Sequence, residues 1–165
     1  MVYDVKGVYF IIMAANRIKI AQDKAELVKS LVASKDTSGI FQTYVEVMVF
    51  AASLGVKYKK RVPLEGSSKD LSPLRQDYFP SSFTMLINLL AITEIQDIKI
   101  LGDDETSDDQ RIHTFEEYAN GGLEILQNEL RGAVDYSERI LLFLKYQKIN
   151  THEETEEFDL SKFLS

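Results

Sequence analysis

The chain has 165 residues, 45% apolar and 27% charged, and contains no cysteine. That is enough for one domain burying a core without metal or disulfide help, and it excludes disulfides, a thiolate zinc site and a cysteine nucleophile. The net charge of −7 excludes a uniformly basic nucleic-acid binder. The charge is nevertheless uneven: residues 1–75 carry twelve Lys/Arg against seven Asp/Glu, a net +5, and residues 76–165 carry seven against nineteen, a net −12. A basic face on the first half stays open, while the acidic half would repel phosphate or attract a basic partner.

The chain opens MVYDVKGVYFIIMAANRIKI. Its apolar piece, Val8–Ala15, is too short to span a bilayer, and the basic start of a secretory signal is missing. Residues 1–12 read either as a strand or as a start-site artefact, with translation beginning at Met13. Together with the absence of cysteine, this points to the cytoplasm and away from the membrane. Arg17–Ile20 alternates cationic and branched apolar residues, as a short strand does. Gln22–Ala33 carries Leu27, Val28, Leu31 and Val32 at helical spacing, and Lys35–Gly39 is a turn by composition.

Ile40–Glu65 is the most informative stretch. Thr43 and Glu46 have the spacing of a capping box, and nearly every residue from Val45 to Leu54 is apolar, so this helix should be central to the core. Gly55 reads as its left-handed stop. Lys57, Lys59, Lys60 and Arg61 follow at once, so a buried helix delivers four cations to one surface spot. The readings are a fixed contact with a polyanion or partner, or ordinary solvated loop charge. Val56–Phe79, with Pro63, Pro73 and Gly66, is a long irregular segment of the kind that is functional or mobile.

Ser82 then caps a strongly apolar helix from Phe83 to about Ile95. The run Asp103–Asp109 lacks the glycine and glutamate of a calcium loop and reads as a solvated turn. His113 and His152 share no ligand spacing, so neither a metal nor a cofactor is expected. Thr114 and Glu117 suggest a second capping box opening a helix that carries Tyr118, Leu123, Ile125, Leu126 and Leu130. Gly121-Gly122 inside it costs about 1 kcal/mol per glycine relative to alanine. Close packing on the Thr43–Leu54 helix explains that cost better than a site for a partner's backbone. Glu117 and Glu124, two turns apart, would need burial to act as an acid/base pair, and a capping role and a polar face account for them. Gly132 ends this helix. Val134–Lys148 forms the last one, with Ile140, Leu141, Phe143 and Leu144 as its apolar face. From Asn150 an acidic tail, expected to be flexible, carries Phe158, Leu160, Phe163 and Leu164.

The expected fold is therefore a single, predominantly α-helical domain over residues 1–149 with at most a short N-terminal strand. Its first half has the strand-helix-helix order of ribbon-helix-helix proteins. On a dimeric ribbon Arg17 and Lys19 would face DNA, with the amides near Thr43 and Tyr44 at phosphate. No P-loop, Gly-x-Ser-x-Gly or His-Glu-x-x-His occurs, so no catalytic residue set is identified.

Several strings resemble the family of dnd-system-associated protein 4, proteins associated with DNA phosphorothioation. They are Phe41-x-Thr43-Tyr44, Phe50–Gly55 (FAASLG), Arg61-Val62-Pro63-Leu64, Ile100–Glu105 (ILGDDE) and Glu117–Glu124 (EYANGGLE), and the resemblance covers roughly two-thirds of the chain. It implies the company of systems that replace a non-bridging phosphate oxygen of DNA by sulfur and restrict DNA lacking the mark. It supplies no molecular activity. The expectation is a non-enzymatic accessory or adaptor protein of such a phage-defence system. It would bind other proteins of the system, with DNA contact through Lys57, Lys59, Lys60 and Arg61 as a second role. The rival is a homodimeric ribbon-helix-helix regulator using Arg17 and Lys19. A carboxylate-dependent hydrolase has the least support.

Overall fold

The computed structural model describes residues 17–35 and 39–156, the last eight as backbone only. The readings of residues 1–12 and of Phe158, Leu160, Phe163 and Leu164 lie outside the described residues. In chain order the elements are β1 (Arg17–Ile18), a 3-10 turn (Gln22–Lys24), α1 (Ala25–Leu31), α2 (Tyr44–Lys57), β2 (Leu74–Arg75), a second 3-10 turn (Gln76–Tyr78), α3 (Ser81–Ile95), a third (Ile98–Leu101), α4 (Glu105–Glu129) and α5 (Tyr136–Glu156). The fold is predominantly α-helical, as expected, and it divides into two compact units, Met1–Gln127 and Asn128–Ser165.

In the first unit the alternation of Arg17–Ile20 is realised. Ile18 and Ile20 are fully buried while Lys19 is exposed. β1 runs antiparallel to β2, with Arg17 opposite Arg75 and Ile18 opposite Leu74. A further antiparallel bridge joins Ala21 to Ser67. The strand thus finds its partner within its own chain. α1 buries Ala25, Val28 and Leu31.

α2 starts on the capping box its sequence announced. The Glu46 amide donates to Thr43 Oγ1 at 3.2 Å, and Glu46 Oε2 accepts from the Gln42 and Thr43 amides at 2.7 and 3.2 Å. The reciprocal bonds satisfy amides that a helix start otherwise leaves open. Val45, Val47, Met48, Val49, Ala51, Ala52 and Leu54 are all buried, so the helix is the core element it was read to be. Each large apolar side chain buried in this way contributes about 1.5–3 kcal/mol.

Gly55 does not stop α2, which continues to Lys57. Its hydrogen is needed because a Cβ there would lie 2.1 Å from the Tyr118 carbonyl oxygen. The left-handed residue that ends the helix is Lys59, at φ 51°. The glycine pair of α4 is of the same kind. A Cβ on Gly122 would meet the Ala51 oxygen at 1.7 Å, and one on Gly121 the Lys60 oxygen at 2.0 Å. Close packing of α4 on α2 is therefore the reason for Gly122, and close packing on the loop that follows α2 the reason for Gly121.

Three helix starts differ from the sequence reading. α4 begins at Glu105, nine residues before the proposed Thr114 cap, and absorbs most of the acidic run. Asp104 accepts from the Ser107 amide at 2.9 Å and from its hydroxyl at 2.6 Å, and acidic Glu105 and Asp108 fill the first turn. Carboxylates at that end interact favourably with the helix dipole, so the run starts a helix where a solvated turn had been expected. Thr114 sits mid-helix, donating its hydroxyl to the Gln110 carbonyl at 2.8 Å. α3 starts at Ser81, directly after Pro80, with no side-chain cap from Ser82. The Gln22–Ala33 helix opens as a 3-10 turn before α1.

The second unit holds the end of α4, Gly132 at φ 76° and α5. Asp135 Oδ1 accepts from the Glu138 amide at 3.0 Å, and Arg139 Nε donates to the Glu129 carbonyl at 3.0 Å, tying the helix start to the end of α4. Of the expected apolar face only Ile140 is buried; Leu141 and Leu144 are exposed. α5 reaches Glu156 and so takes in the first seven residues of the segment read as a tail.

The glycine contacts define a stability test. Gly122→Ala should destabilise the protein by about 3 kcal/mol, because backbone rather than a flexible side chain obstructs the new methyl. Gly66→Ala, with nothing within 4 Å of its Cβ, should change stability by less than about 0.5 kcal/mol. Urea denaturation of the two variants checks this. Similar midpoints for both would mean that α2 and α4 can separate at little expense.

Candidate interaction surface

The basic loop after α2 is fastened to α4 by its main chain. The Lys60 amide donates to the Gly55 carbonyl at 2.7 Å, and the Val62 amide to the Glu117 carbonyl at 3.0 Å. Asn120 Nδ2 donates to the Val62 and Pro63 carbonyls at 3.3 and 3.0 Å. The strings Arg61–Leu64 and Glu117–Glu124, more than fifty residues apart, are thus two sides of one joint.

Two of the four loop cations are consumed by that joint. Lys60 Nζ pairs with Glu124 at 3.0 Å. Arg61 pairs through Nη1 with Glu94 at 2.7 Å and through Nε with Glu117 at 2.5 Å, and its guanidinium lies 5.9 Å from the Tyr118 ring centroid. The Tyr118 hydroxyl donates to the other Glu94 oxygen at 2.6 Å, and His113 Nε2 stands 3.2 Å from Glu117 Oε1. The bonds from Tyr118 and Arg61 hold the Glu94 carboxyl below its ordinary range. The same Glu94 bond, with burial, raises the Tyr118 phenol. Glu117 and Glu124, weighed above as an acid/base pair, each serve as counter-ion to a loop cation.

Lys57 and Lys59 are exposed, and among the described residues neither pairs with a carboxylate. Lys59 holds its left-handed φ without being glycine, which costs about 1 kcal/mol.

Arg17 lies apart from this loop, beside Arg75 in a cleft of about 780 Å³ that Glu46 and Asp70 also line. Two cations and two carboxylates leave that cleft without a basic character, and the α2 start beside it is occupied by its own capping box. The Lys19 side chain is exposed, while its amide donates to Glu116 Oε1 at 2.6 Å. Glu116 is buried, and that burial raises its pKa despite the Lys19 amide. Arg17 and Lys19 thus have surroundings different from those of the loop cations.

α3 presents a feature that sequence reasoning missed. Nine of its fifteen residues are apolar, yet only Ile87, Leu90 and Ala91 are buried. Met85 is 70% exposed and Leu89 59%, and Ile98 in the turn that follows is 76% exposed. A groove of about 260 Å³ runs between α2 and α3, walled by Val56, Leu86, Leu89 and Leu90 with Glu94 and Tyr118 at its margin. The signal was present in the sequence, since a helix this rich in apolar residues needs cover on more than one side.

Fold and surface define a small helical protein with a fixed ion-paired joint beside an open apolar helix face. The chain belongs to the family described as DNA sulphur modification system-associated protein 4, which matches residues 17–163. No curated protein and no solved structure shows a significant match. Among the described residues no helix is long and apolar enough to cross a membrane, and no group of His, Asp and Glu has the arrangement of a metal site.

Glu116 gives a pH test with a defined sign. Its folded pKa is raised, so its contribution to stability is full below the unfolded carboxyl value of about 4.3 and declines as pH rises through the folded value. Glu116→Gln keeps an acceptor for the Lys19 amide without the buried charge. The stability of this variant relative to wild type should increase from pH 4 to pH 7 in urea titrations. The reverse trend would show that ionised Glu116 is stabilised by its surroundings.

Proposed function

We propose that this protein is a non-enzymatic adaptor of a DNA sulphur modification and restriction system, binding another protein component through the open face of α3. The observation that carries the reading is the exposure of Met85, Leu89 and Ile98 on and beside one helix, a contiguous apolar surface of the kind that marks association sites. Family membership supplies the system. The non-enzymatic part is supported by the carboxylates of the joint, Glu94, Glu117 and Glu124, each of which is held by a cation. Contact with DNA is the secondary role, and it falls to Lys57 and Lys59. The in-chain pairing of β1 with β2 favours this reading over a regulator built on a dimeric ribbon.

The test is co-expression with the other proteins encoded beside it, followed by affinity purification. Wild type should retain a component of the system, and Met85→Glu/Leu89→Glu should lose it while keeping its helical circular dichroism. The same double variant should abolish modification or restriction in cells. Full retention and function in the folded variant would overturn the adaptor reading. For the DNA role, duplex affinity should fall with salt, and the slope of log K against log salt should flatten by about 0.9 for each of Lys57 and Lys59 removed. Unchanged slopes would remove DNA from the proposal.

A further inference from the structure

The groove between α2 and α3 carries chemical information about what fills it. At about 260 Å³ it falls below the range of small-molecule sites and suits one or two bulky side chains. Val56, Leu86, Leu89 and Leu90 offer it no charge. Glu94, the one carboxylate on α3, is taken by Arg61 and Tyr118. Directly after Val56 come the exposed cations Lys57 and Lys59. Lys60 and Arg61 are paired with carboxylates on α4 and α3, so the cations following Val56 that pair with no carboxylate among the described residues are Lys57 and Lys59.

Lys59 adds an independent observation. It occupies the left-handed position that glycine fills at least expense after a helix, which fixes where the chain carries this cation as it leaves α2.

We propose that this groove docks an acidic amphipathic segment of a partner protein, seating an apolar side chain between α2 and α3 and laying carboxylates on Lys57 and Lys59. The inference rests on the adaptor reading and names the partner's chemistry. Helix-in-groove recognition works in this way, with an apolar anchor for affinity and flanking charge for register. Duplex DNA fits less well, because a phosphate backbone offers nothing to Val56, Leu86 and Leu89.

The experiment uses the full chain in cells that make the whole system. A photo-reactive phenylalanine analogue replaces Tyr58 or Leu86, and mass spectrometry identifies the cross-linked segment. In parallel, Lys57→Glu/Lys59→Glu and Lys59→Gly are compared with wild type for retention of the co-purifying component. The expected segment is net acidic with a bulky apolar residue at the cross-link. Charge reversal should weaken the complex roughly tenfold, with wild-type retention falling as salt rises. Lys59→Gly should raise the melting temperature by roughly 2–4 °C and still weaken the complex. A role confined to folding would not separate those two readouts.

A neutral or basic cross-linked segment, a second copy of this chain, or cross-linked DNA with no protein segment would each overturn the inference. So would full retention by the charge-reversed protein. If Met85→Glu/Leu89→Glu abolishes retention while charge reversal leaves it intact, the adaptor reading stands and the acidic-segment inference fails. If neither variant matters, both fail.

Discussion

The close approach of α2 and α4 is the constraint on which the rest of the first unit depends. Helix axes usually stand 8–10 Å apart because side chains keep them there. Here Gly122 removes its side chain at Ala51, Gly55 does so at the Tyr118 carbonyl, and Gly121 at the Lys60 carbonyl. Backbone meets backbone at three points in one joint. Two glycines inside a helix weaken it locally, and the dispersion and burial gained by the closer fit offset that loss.

Once the helices are this close, the fate of the basic loop follows. The chain leaving α2 must cross α4, so its amides and carbonyls find partners at Glu117 and Asn120. Lys60 and Arg61 then stand beside Glu124, Glu117 and Glu94, and they pair. Pairs this exposed add modest stability, so their main effect is to fix the loop and the start of the groove. What leaves the joint unneutralised is the beginning of the loop, Lys57 and Lys59. The apolar wall of α3 lies on the other side of the groove.

The open face of α3 is the largest departure from a self-sufficient core. The fold buries most of the apolar residues of α2 and leaves Met85, Leu89 and Ile95 of α3 exposed. Exposed apolar residues such as Met85 and Leu89 are of the kind that association sites use.

The sequence by itself determined the helical class, the α2 capping box, the centrality of Val45–Leu54 and the purpose of Gly122 in the Gly121-Gly122 pair. These depend on neighbours within a few residues, or on a cost that only close packing repays. It misjudged Gly55, because a glycine just before a basic loop looks the same whether it ends a helix or admits a neighbouring carbonyl. It misjudged Thr114, because a Thr-x-x-Glu spacing carries no mark of the nine helical residues that precede it. Only the tertiary structure decided which cations are free to act. Lys57 and Lys60 are indistinguishable as residues, and the difference between them is Glu124, sixty-four positions further on and brought alongside by the glycine joint. Only the tertiary structure, too, decided that α3 is bare, since local periodicity reports how apolar a helix is and not how many neighbours the fold has left to cover it.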